Sequence, residues 1–158
     1  MPVTSGAHHL AIFTADMDRL IAFYEAMFDA ETRFDISEPG PGGGVVRHAL
    51  IDLGQGFMLH PFQMPEPTGH EAGSMQMARR GHIDHLALQV PDEETLQDVR
   101  QRLFEAGASD GVVTDFGAIR LVAFADPDGM EGEVAVWTGK DRVLSFGERG
   151  REPYDQSG

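Results

Sequence analysis

The sequence has no cysteine. That excludes disulfides and thiolate metal sites, and it leaves redox compartment unmarked. Basic residues are scarce, with 12 Lys and Arg against 26 Asp and Glu, for a formal net charge of -14. A surface of that sign repels nucleic-acid phosphate and anionic membranes, so neither is an expected partner. No run approaches the ~18 consecutive apolar residues of a membrane span. The opening Met1-Pro2-Val3-Thr4-Ser5-Gly6-Ala7 lacks the basic-then-apolar order of an export signal, so the expectation is a soluble cytoplasmic protein. What remains is 158 residues, 41% of them hydrophobic, enough for one ordinary domain or two small halves sharing a core.

What is present is a duplication. His9-Leu10-Ala11-Ile12 followed by Asp16 returns as His85-Leu86-Ala87-Leu88 followed by Asp92, at a constant offset of 76. Leu96 falls over Leu20, Phe104 over Phe28 and Ala106 over Ala30 in the same register. Each copy reads as a short half-buried strand closed by an aspartate suited to cap a helix.

Residues 16–29 carry Leu20, Phe23, Tyr24 and Met27 at helical spacing. A short strand at 34–36 follows, then a Gly/Pro turn at 39–44. Strands at 45–53 and 57–62 are joined by Gly54-Gln55-Gly56. The second half restarts at 82–90, with a helix from Asp92 through Leu96, Val99 and Leu103 that stops at Ala106-Gly107. Strands at 112–114, 119–124 and 133–137 complete it, the last preceded by the tight turn Asp126-Pro127-Asp128-Gly129. The expected organisation is a βαβββ module over 1–63, a linker over 64–81, a second βαβββ module over 82–138 and a polar tail over 139–158. Met75, Met77, Arg79 and Arg80 of the linker are candidates to cover a site, though a solvated connection is the favoured reading. Val143, Leu144 and Phe146 are candidates to dock the tail on the body or on a second subunit.

Strand alternation puts His9, Ala11 and Phe13 on one face and His85, Ala87 and Gln89 on the corresponding face of the second copy. Glu133 and Ala135 repeat the arrangement with a carboxylate. If the halves are related by an approximate two-fold, His9 and His85 approach each other near its axis. Glu133 lies seven residues beyond Asp126 and His60 eight beyond Asp52, so His60 is the first-half equivalent of Glu133. The predicted metal set is therefore His9, His85 and Glu133, with His60 as a fourth. Pro61 removes a ladder donor and suggests that His60 ends a frayed strand. His8 and His82 are expected to point away. His48 and His70 have no repeat partner and read as surface residues, His48 alternatively lining the cavity. Arg120 reads as an exposed strand residue, the alternative being an anchor for an anionic substrate. Nitrogen and oxygen donors without sulfur suit Fe(II), Mn(II), Ni(II), Co(II) or Zn(II), with positions left open for substrate.

These pieces together resemble the vicinal oxygen chelate superfamily, which groups glyoxalases, bleomycin-resistance proteins and extradiol dioxygenases. The matching residues are His9-Leu-Ala-Ile with Asp16 and Phe23-Tyr24, then His85-Leu-Ala-Leu-Gln-Val-Pro-Asp92, then Asp126-Pro-Asp-Gly129 with Glu133. The resemblance implies an α+β fold, two βαβββ modules whose mixed sheets curl around a divalent metal ion. It places His9, His85 and Glu133 on the family's metal positions. Glyoxalase I enzymes usually have Glu or Gln where His60 stands, and methylmalonyl-CoA epimerases favour an amide or acid there. The implied activity is metal-dependent isomerase or lyase chemistry on a small oxygenated molecule, through a metal-stabilised enolate with Glu133 as base. The alternatives are an Fe(II) extradiol-type dioxygenase, matching the two His and one Glu, and a metal-free protein that sequesters a drug or metabolite. The modules would close one cavity within a chain or exchange partners in a homodimer.

Overall fold

Both helices begin at the repeated aspartate. Asp16 is extended and its carboxylate accepts the backbone N–H of Arg19 (3.1 Å), opening helix α1, Met17–Phe28. Asp92 does the same for Thr95 (2.9 Å), opening α2, Glu93–Glu105. Each carboxylate satisfies a donor that the first helical turn leaves free. At its far end α2 gives way to Gly107 at φ +68°, a left-handed position that glycine adopts without steric cost.

The computed structural model describes residues 7–40, 44–63, 83–145 and 147–155. The linker expected over 64–81, with His70, Met75, Met77, Arg79 and Arg80, lies outside the described residues, as do His82 and Phe146. The chain divides into two compact units, Met1–Met75 and Gln76–Gly158.

In the first unit, α1 follows β1 (His9–Thr14) and precedes β2 (Glu31–Pro39), β3 (Val45–Asp52) and β4 (Met58–Gln63). The sheet order is β1-β4-β3-β2, with β1 parallel to β4 and the remaining pairs antiparallel. Leu10 and Ile12 pack against a buried cluster of Leu20 and Tyr24 from the helix and Ile51 and Leu59 from the sheet. The other parity of β1 is open, and Phe13 is 74% exposed. The strand expected at 34–36 is longer than its sequence signal. It pairs with β3 along the sheet edge from Glu31 to Pro39, where an edge proline gives up no inner ladder bond.

The second unit repeats the plan with β5 (Leu86–Gln89), α2, β6 (Val113–Asp115), β7 (Ile119–Ala125) and β8 (Glu131–Trp137). Its order is β5-β8-β7-β6-β9, and β5 is parallel to β8. Leu96, Val99 and Leu103 of α2 are buried, as are Val113, Val122, Val134 and Val136 of the sheet. The fifth strand, β9 (Gly150–Glu152), comes from the polar segment after Trp137 and pairs antiparallel with β6. Val143 forms an isolated bridge to Gly117. The α+β class and the two βαβββ modules expected from the sequence are both present. Among the described residues, no helix is long and apolar enough to cross a membrane.

Candidate functional site

The helix in each unit covers one face of its sheet, and the predicted donors stand at the other parity. In the first unit, β1 and β4 run parallel with Ala11 opposite His60. The small methyl leaves His9, two residues earlier, beside His60, and their rings meet edge-on with centroids 5.6 Å apart. In the second unit, β5 and β8 run parallel with Ala87 opposite Glu133. His85 immediately precedes β5, and its Nε2 lies 3.4 Å from Glu133 Oε2. Since Ala11 and Ala87 are repeat partners, His60 and Glu133 hold equivalent positions. The turns agree, because Asp52 Oδ1 accepts from Gly54 N–H (2.8 Å) as Asp126 Oδ1 accepts from Asp128 N–H (2.9 Å).

His60 is not at a frayed end. It sits within β4, which has neighbours on both sides, and Pro61 is fully buried opposite Ile12. The missing donor interrupts the β3 ladder only between the pairs His48–Phe62 and Ile51–Leu59. Burial, then the nearby His48 and His9, pushes the His60 imidazolium below the ordinary histidine range. The ring is therefore neutral at neutral pH and offers a lone pair.

Three other expectations change. His48 is not a surface residue; its side chain is 13% exposed, its Nδ1 lies 3.1 Å from His60 Nε2, and its ring stacks on Phe62. The hairpin register could have found it: Asp52 opposite Met58 puts His48 opposite Phe62, one pleat from His60 on the same face. His8 does not point away, since its Nδ1 lies 2.9 Å from Nδ1 of His9. In the repeat, Asp84 stands where His8 does, and its carboxylate holds His85 Nδ1 at 2.9 Å. That bond places a proton on Nδ1 and turns Nε2 toward Glu133. Arg120 lies at the helix-facing parity of β7 and is ion-paired to Glu93 and to Glu152 (2.6 Å), so it is neither an exposed arginine nor a substrate anchor.

A cleft of about 340 Å³ opens in the second unit beside His85 and Glu133, with Ser109, Asp110, Phe124 and Glu131 in its wall. Three carboxylates and an imidazole make it a region of negative potential that favours a cation. Among the described residues no three His, Asp or Glu side chains converge closely enough to hold a metal ion. Each unit brings two metal-capable side chains together, His9 with His60 and His85 with Glu133, and nitrogen with carboxylate oxygen is donor chemistry a divalent ion takes.

The chain belongs to the Glyoxalase/Bleomycin resistance protein/Dioxygenase superfamily, whose family model matches residues 6–134. Among solved structures it is similar to a glyoxylase/bleomycin resistance protein/dioxygenase domain from Frankia sp. EAN1pec. The TM-score is 0.68 at 21% identity, covering 85% of this chain and 98% of that one. It is also similar to the fosfomycin resistance protein FosX from Listeria monocytogenes, solved with Mn(II) and sulfate (TM-score 0.58, 18% identity, 87% and 96% covered). A third is lactoylglutathione lyase from Agrobacterium tumefaciens (TM-score 0.56, 19% identity, 85% and 96% covered). At these identities the likeness is one of fold. No functionally curated protein matches the sequence.

Proposed function

We propose that this chain is a divalent-metal-dependent enzyme acting on a small oxygenated molecule by isomerase or lyase chemistry. His9, His60, His85 and Glu133 are its metal donors, and Glu133 is the group that moves the substrate proton. The observation that carries this reading is the repeated register, one imidazole per module beside a second donor across a parallel strand pair. A divalent ion supplies Lewis-acid stabilisation of negative charge developing on a substrate oxygen.

The chain's own residues supply the rest. His60, kept neutral by burial, offers a lone pair. Asp84 holds Nδ1 of His85 and so orients its ring. Glu133, with a quarter of its side chain exposed beside the cleft, is placed to take a proton from a carbon next to a carbonyl. Returning that proton to the neighbouring carbon completes an isomerisation, and expelling a group from that carbon completes a lyase reaction. The reading includes a cytoplasmic protein, as monomer or homodimer.

Two further readings have observations of their own. The pair of imidazoles and one carboxylate at His9, His85 and Glu133 is also a donor set for an Fe(II) dioxygenase. The aromatic rings of Phe34 and Phe62 on the open face of the first sheet suit a metal-free protein that binds an apolar drug or metabolite. Titration of the purified protein with Mn(II), Fe(II), Co(II), Ni(II) and Zn(II) separates them. Tight binding weakened about 10-fold or more in His85→Ala and Glu133→Ala supports the metalloenzyme. No affinity for any of the five ions overturns it in favour of the binding protein. Oxygen uptake by the Fe(II)-loaded protein with a catechol overturns the isomerase or lyase assignment in favour of the dioxygenase.

A further inference from the structure

Three side chains stand in a row across the first sheet: Glu38 on β2, His48 on β3 and His60 on β4. The His48 ring is fixed from two sides. It lies parallel to Phe62, at 2° with centroids 5.4 Å apart, and Phe34 meets it edge-on at 5.4 Å. Its Nδ1 is 3.1 Å from His60 Nε2. Its Nε2 is buried with no aligned hydrogen bond, and Glu38 Oε1 lies 3.3 Å away.

An N···N contact of this length between two imidazoles needs one N–H and one lone pair. Distance alone allows either ring to be the donor. The carboxylate of Glu38 breaks the tie, because a negative charge beside Nε2 of His48 favours the proton on that nitrogen. Nδ1 of His48 is then a lone pair, so His60 donates its Nε2–H, and the free lone pair of His60 is on Nδ1.

We infer that His48, backed by Glu38, is a positioning residue that sets the tautomer of His60, so that His60 presents Nδ1 to the metal ion. The inference rests on the metal-site reading above and extends it to residues that the repeat does not mark. It also makes the two modules unequal. Asp84 holds Nδ1 of His85 and turns its Nε2 toward Glu133, whereas His48 holds Nε2 of His60 and leaves Nδ1 as the donor atom. A ligating histidine with its second nitrogen bonded has a fixed ring orientation and a more basic donor atom.

The tautomers can be read without any metal, by long-range ¹H–¹⁵N correlation spectra of the imidazoles in the whole metal-free chain. Both His48 and His60 are expected as the Nε2–H form, and a His60 protonated on Nδ1 overturns the inference. The second measurement is a Co(II) titration followed by visible absorption. His48→Phe keeps the stack on Phe62 but has no lone pair, and its Co(II) affinity is expected to fall about 10–100-fold. His48→Asn, whose Oδ1 stands in for Nδ1, is expected to recover most of that loss. Glu38→Gln, at an exposed position that leaves the fold intact, is expected to convert His60 to a mixture of tautomers. A His48→Phe protein that binds Co(II) like the wild type overturns the inference. If the wild type takes up no Co(II), the metal-site reading fails, and the tautomer spectra alone decide the role of His48.

Discussion

Replacing Arg100 by alanine tests how the segment after Trp137 is held. Arg100 lies on the core face of α2, four residues after Leu96, with its side chain 5% exposed. Its guanidinium donates to the carbonyl of Gly111 (2.6 Å), to Gln97 Oε1 (2.7 Å), and to both the carbonyl and Oε1 of Glu152 (3.0 Å each). The centroid of the Tyr154 ring lies 5.1 Å from the guanidinium carbon, and the ring packs at a tilt against Phe104, over Gly111. Truncation does not orphan all four acceptors. Glu152 keeps Arg120 at 2.6 Å, and half its side chain faces water. The two carbonyls are the groups left unmet, at about 1–3 kcal/mol each, and the Glu152 carbonyl regains water if β9 peels away. The expected loss is therefore about 3 kcal/mol, at the lower edge of values for breaking a buried charged contact. Urea unfolding followed by circular dichroism measures it, and amide hydrogen exchange on residues 150–152 locates it. Arg100→Met, which keeps the apolar stem, is expected to lose less, about 1–2 kcal/mol. A loss below about 1 kcal/mol in Arg100→Ala, or unchanged protection of β9, would refute the clasp.

Leu59→Ala removes a fully buried side chain from the cluster it forms with Leu20, Tyr24 and Ile51, for an expected loss of about 2–5 kcal/mol in the same unfolding assay. Gly132→Ala puts a methyl 2.6 Å from a ring atom of Phe124 and closer to another, so the ring must shift. The expected cost is about 1–3 kcal/mol, and an unaltered unfolding midpoint would show that the contact relaxes freely. His60 has a lowered proton affinity in the folded chain, so between the folded value and the unfolded value of about 6.5 the unfolded chain binds more protons. Its contribution to stability is present above pH ~6.5 and is lost as pH falls through the lowered folded value. Urea midpoints from pH 8 to 5 should fall less steeply in His60→Gln than in the wild type, and equal slopes would remove His60 from the account.

The parts of this fold that could be read from the sequence are those written in local patterns. Asp16 and Asp92 announce their helices because a cap acts only three residues ahead, at Arg19 and Thr95. The equivalence of His60 and Glu133 follows from counting beyond Asp52 and Asp126, and the strand register agrees. What stayed hidden depends on partners distant in sequence. Arg100 sits at a visible apolar position of α2, but its acceptor Glu152 is 52 residues on. β9 has no apolar alternation of its own, since its three residues are exposed and an edge pairing with β6 needs only backbone. His48 was legible in principle from the hairpin register, and its lack of a repeat partner concealed it. Arg120 alternates with Val122 and Phe124, but only the position of α2 and β9 decides that this parity meets acids and not a substrate.

That parity is what connects the core to the chemistry. In β1, Leu10 and Ile12 serve the helix while His9 and Ala11 serve the open face, and in β8, Val134 and Val136 are buried while Glu133 and Ala135 alternate with them. Because side chains alternate strictly, slipping a strand by one residue would bury His9 or Glu133 and expose the core, at a cost no single polar contact could offset. The open-face residues therefore inherit their positions from the apolar residues between them. Packing constrains one parity and leaves the other open to different chemistry, so the same scaffold accommodates His60 in one half and Glu133 in the other. The same logic explains why Ala11 and Ala87 recur although they bury little. A larger residue opposite His60 or Glu133 would leave the register and the core intact while separating His60 from His9 or Glu133 from His85.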